Sequence, residues 1–69
     1  MNKEREVRLR IEGHMSFLMG YVLAVFDMLK YERIKKGQAE AFIESAIYKT
    51  KNALIAAMLN LVTEDENKE

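Results

Sequence analysis

Residues 15–29, MSFLMGYVLAVFDML, and residues 53–62, ALIAAMLNLV, decide how this chain folds. A surface helix of a monomer carries one apolar stripe and one polar face. These two stretches are apolar nearly all the way round, and together they fill over a third of 69 residues. Two helices in one chain cannot cover that much apolar surface. The expectation is a core completed by a second copy or by a partner.

The surrounding residues favour helix throughout. There is no Pro, there are three Gly, and Leu, Ala, Met, Glu, Lys and Arg dominate. Ile11, Met15, Leu18, Val22, Val25 and Leu29 step by four and three, as a heptad seam does. Ile43, Ile47, Thr50, Leu54, Ala57 and Leu61 repeat the pattern. The break is expected at Lys35-Lys36-Gly37-Gln38, where cations suit a helix C-terminus and glycine supplies a left-handed cap. The chain thus reads as one all-α domain, residues 1–69, an antiparallel two-helix hairpin. Helix one is expected over about 3–36 and helix two over about 38–63, with a frayed acidic tail at 64–69. Gly13 is a candidate bend, since glycine inside a helix costs ~1 kcal/mol against alanine.

Small residues suggest a register. Gly13, Ser16, Gly20 and Ala24 fall on one line, as do Ala46, Ala53, Ala57 and Asn60. Folding at Lys36-Gly37 would set residue i against about residue 73 − i, small against small, letting the axes approach closely. Arg33 would then face Glu40, Arg8 would face Asp65, and Asp27 would face Ala46. The apolar residues left over are the candidate interface: Met19, Leu23 and Phe26, with Tyr48, Ile55, Leu59 and Val62, and a further row of Phe17, Tyr21 and Met28. Two hairpins dimerising into a four-helix bundle would cover them most simply.

Composition bounds the chemistry. A chain this short is marginal without a staple or a partner. With no Cys and one His, disulfides, thiolate metal sites and multi-His sites within one chain are excluded. The absence of Cys fits the cytoplasm. Formal charge is zero, but residues 1–62 carry net +3 and the tail TEDENKE carries net −3. That balance alone does not argue for nucleic acid. The apolar run at 15–29 falls short of a membrane span and contains Asp27. The opening MNKEREVRLRIEG has no early apolar core of the secretory type.

Few residues carry a chemical signal. His14 reads as a helix-surface histidine at a core boundary, with a ligand or pH-sensing role as its alternative. Asp27 reads as the partner of Lys49 or as a solvated edge residue, because an unpaired buried charge is costly. Lys49 and Lys51, with Tyr48 and Asn52, suggest a polar window. Together with Arg10 and His14 they are the candidate anion-binding residues. The basic segment Lys3, Arg5, Arg8 and Arg10 is interleaved with Glu4, Glu6 and Glu12 and reads as a solvated helix end. No nucleophile with a base, phosphate loop or paired-carboxylate site is present, so no enzyme and no cofactor are expected.

The leading functional expectation is a small homo-oligomeric regulator, inhibitor or adaptor that binds another protein, of a size that suits a bacterial or phage protein. An RNA-binding bundle is the alternative. In layout alone the chain resembles the plasmid copy-number proteins, whose paired hairpins grip RNA loops; no residue pattern is shared. A sponge or sensor for a small anionic ligand and a subunit of a larger assembly complete the readings.

Overall fold

The computed structural model describes residues 2–67, with side chains through Val62. Two helices, α1 (Lys3–Lys30) and α2 (Lys36–Asn67), fold back on each other as a hairpin. Asn2 caps α1, its side chain accepting the Glu4 backbone N–H at 2.8 Å. Glu4 and Glu6 sit in the first turn, where carboxylates favour the helix dipole.

The turn lies earlier than the sequence suggested. Helix α1 stops at Lys30 rather than about Lys36, and α2 starts at Lys36 rather than about Gln38. The left-handed residue is Glu32, with φ 60°, and no glycine among the described residues has positive φ. The Arg33 N–H donates to the Met28 carbonyl at 2.8 Å and the Glu32 N–H to the Leu29 carbonyl at 3.0 Å. This double closure is a Schellman motif built without glycine. On the other side of the turn, Gln38 reaches back to accept the Lys35 N–H at 2.9 Å, one half of a capping box. Gly37 therefore belongs to the first turn of α2. The α2 backbone also stays helical through Asn67, beyond the expected fraying point at 64.

The hairpin is a ribbon one layer thick. Its Cα atoms span 55 × 19 × 8 Å. The seam between the helices takes Val7, Ile11, His14, Leu18, Tyr21, Val25 and Met28 from α1, all buried or half-buried. From α2 it takes Ala39, Ile43, Ala46, Thr50, Ala53, Ala57 and Asn60. Both series step by four and three. Among the described residues, Val7, Val25, Ala39 and Ala57 alone are buried, and each keeps a few per cent of its surface exposed.

The small-against-small register is corrected. The alanine row of α2 does face inward, but Gly13, Ser16, Gly20 and Ala24 of α1 are exposed. A Cβ added at Gly13 or Gly20 would meet nothing within 4 Å. The helices instead pack large residues of α1 against small residues of α2. Leu18 and Tyr21 share a groove with Ala46 and Thr50, so residue i lies near 67 − i, about six positions from the expected register. The cause is the earlier turn. Asp27 consequently lies beside Met28, Tyr31 and Arg33 at the turn, away from Ala46 and Lys49. Arg33 stands in the turn itself, and Arg8 pairs with Glu4 at 3.4 Å on its own helix. Asp65, expected opposite Arg8, lies outside the described side chains.

Candidate functional site

A one-layer hairpin has two broad faces, and here they differ. On the first, Val22, Val25, Phe26 and Leu29 of α1 line a groove with Ala39 and Ile43 of α2. The groove continues along Met15 and Leu18 against Ile47, Leu54, Ile55 and Met58. Glu40, Glu44 and Lys51 stand along its α2 edge.

The second face is mixed. Arg10 and His14 share a groove of about 700 Å³ with Ala53, Ala57, Leu59 and Asn60. Farther along, Phe17 and Tyr21 line a groove with Ser45, Ala46, Lys49 and Thr50. Arg10 and His14 are one helical turn apart, so both side chains reach the same groove. His14 is half-buried at the edge of the seam.

The expected polar window comes apart. Lys49 lines the second face and Lys51 the first. Two residues along a helix are about 200° apart, which sends neighbouring lysines to opposite sides. The Lys51 ammonium lies 5.2 Å from the centre of the Tyr48 ring, and Lys30 sits 4.9 Å from Tyr31 and 5.6 Å from Phe26. These cations are held on aromatic faces. Of the four candidate anion-binding residues, only Arg10, His14 and Lys49 share a side of the ribbon.

The candidate interface residues also divide. Tyr21 and Met28 are half-buried in the seam. Phe26 borders the first face, with Met19 two helical turns before it on the same side, and Phe17 and Leu59 line the second. Leu23, Tyr48 and Val62 are exposed and line none of these grooves, whereas Ile55 lines the first-face groove beside Leu54 and Met58. Phe17, at 75%, is the most exposed large apolar side chain among the described residues.

Among the described residues no group of three or more His, Cys, Asp or Glu is placed to hold a metal ion. No described helix is long and apolar enough to cross a membrane. No protein-family model, curated protein or solved structure matches the chain.

Proposed function

We propose that this chain is a non-enzymatic cytoplasmic protein that self-associates into a four-helix bundle and acts by binding another protein, as a regulator, inhibitor or adaptor. The observation that carries the reading is surface. The hairpin exposes 5768 Å². A compact monomer of 8.0 kDa exposes about 4,450 Å², so some 1,300 Å² of this chain stands uncovered beyond the norm for its size. Sixteen large apolar side chains are exposed among the described residues. Isolated apolar residues on a surface are ordinary, but a continuous field of them marks an interaction site.

One layer of cover answers one face. Self-association leaves the outer edges, with Leu23, Tyr48 and Val62, for a different chain. Apolar helix edges of this kind suit helix-in-groove recognition.

The experiment is capture from a lysate of the source organism with the tagged chain, half of the sample treated with nuclease. A single protein retained in both halves, and lost with Leu23→Asp and Tyr48→Asp, supports the reading. Recovery of RNA, or of proteins lost on nuclease treatment, replaces it with the nucleic-acid reading.

A further inference from the structure

Each helix carries two apolar stripes that share half their residues. The seam stripe of α1 alternates Ile11, Leu18 and Val25 with His14, Tyr21 and Met28. The heptad stripe legible in the sequence keeps the first three residues and alternates them with Met15, Val22 and Leu29. Helix α2 repeats this: Ile43, Thr50 and Ala57 belong to both stripes, and Ile47, Leu54 and Leu61 to the heptad stripe alone. At 3.6 residues per turn, the heptad stripe is rotated by about 50° from the seam on both helices. In both cases the rotation is towards the first broad face, since Val22 and Leu29 share a groove there with Ile43, and Met15 shares one with Ile47 and Leu54.

That angle has a geometric meaning. In a two-stranded coil the heptad stripe points at the neighbouring helix. In a four-helix bundle of roughly square section it points at the bundle axis, about 45° from each neighbour. Both helices of this hairpin aim their stripes at an axis lying over the first face.

We infer that the first face, centred on Met15, Val22, Leu29, Ile47, Leu54 and Leu61, is the surface on which a second copy of this chain closes the bundle. The inference rests on the self-association proposed above and adds which face is used. Area agrees with this occupant. Covering the excess of about 1,300 Å² per chain gives a total near 2,600 Å², within the range of obligate homodimers. Apolar side chains dominate the grooves on this face, with Lys36, Glu40, Glu44 and Lys51 beside them, whereas the other face brings Arg10, His14 and Asn60 together in one groove and Lys49 into the next. A second copy is the partner that brings the same stripe at the same spacing.

Single-cysteine reporters test it, because the chain has no Cys of its own. Val22→Cys and Ile47→Cys label the first face; Leu23→Cys and Tyr48→Cys label the outer edges. Reaction with a maleimide is timed on the folded protein, with sedimentation of each variant and circular dichroism as the fold control. The expected result is a dimer in which the first pair reacts about tenfold or more slowly than the second. A dimer with equal rates, or with the outer pair protected, overturns the choice of face and leaves self-association standing. A folded monomer in which all four react at one rate overturns both. Should a cysteine variant fail to fold, the more conservative pair Val22→Ala and Leu23→Ala is compared by dimer dissociation constant, with weakening expected only for Val22→Ala.

Discussion

The Gln38 side chain accepts the Lys35 backbone N–H at 2.9 Å and so fixes where α2 begins. Lys35 has no side-chain acceptor of its own to cap the helix, and the reverse half of the capping box substitutes. Gln38→Ala removes that bond from an exposed site. A loss of about 0.5–1 kcal/mol is expected in chemical denaturation, with helical content kept. An unchanged midpoint would mean that the turn is held by the Schellman closure alone.

Glu32 occupies the left-handed position with φ 60°. A residue with a Cβ is strained there by about 1 kcal/mol, and glycine is not. Glu32→Gly is expected to raise stability by up to that amount, less the backbone entropy that glycine restores to the unfolded chain. Thermal melts at one fixed concentration measure it.

Gly20 lies inside α1 with open space where a Cβ would stand. Gly20→Ala is expected to stabilise the helix by about 0.5–1 kcal/mol. Ala57 behaves oppositely: it is buried at 5% exposure in the seam, and Ala57→Leu is expected to cost about 1–3 kcal/mol by overpacking. Denaturant midpoints of the two variants should move in opposite directions. The small-against-small register would instead have made both enlargements harmful.

Val25, 4% exposed, is the most buried large side chain of the seam. Val25→Ala leaves a gap between α1 and the Ala39–Ile43 turn of α2 and is expected to cost about 1–2 kcal/mol. The same truncation at Leu23, 57% exposed, should cost well under that in the free hairpin. Equal losses at the two sites would show that the seam is not the main source of cohesion.

Stability of a self-associating chain depends on its concentration. The melting temperature is expected to rise steadily over about a hundredfold increase in protein concentration. A constant value would fit a monomer.

Both helices and their antiparallel return are legible in the sequence, because apolar spacing and helix-favouring composition agree over long stretches. Ile11, Leu18, Val25, Ile43, Thr50 and Ala57 are also readable as seam residues, since they serve both stripes. The turn is not. Gly37 after two lysines imitates a C-cap, whereas the residue that turns left-handed is a glutamate with no local signal. Gln38, three residues after Lys35, was the available clue. The register error follows from the misplaced turn. Gly13 and Gly20 of α1 point outward, and small residues indicate close approach only when the neighbouring helix lies on their side. His14 and Tyr21 are harder to assign to the seam, since polar or amphipathic side chains hide a stripe that Met15, Val22 and Leu29 display more plainly.

The residues common to both stripes bear a double duty that their neighbours do not. Leu18 and Val25 on α1 and Ile43 on α2 border the seam and also form part of the floor of the first face. Where natural variants of this chain diverge, drift should accumulate first at Leu23 and Tyr48, then at Met15 and Ile47, and last at these shared positions. The pattern of tolerated change would thus reflect how many packed surfaces each residue serves.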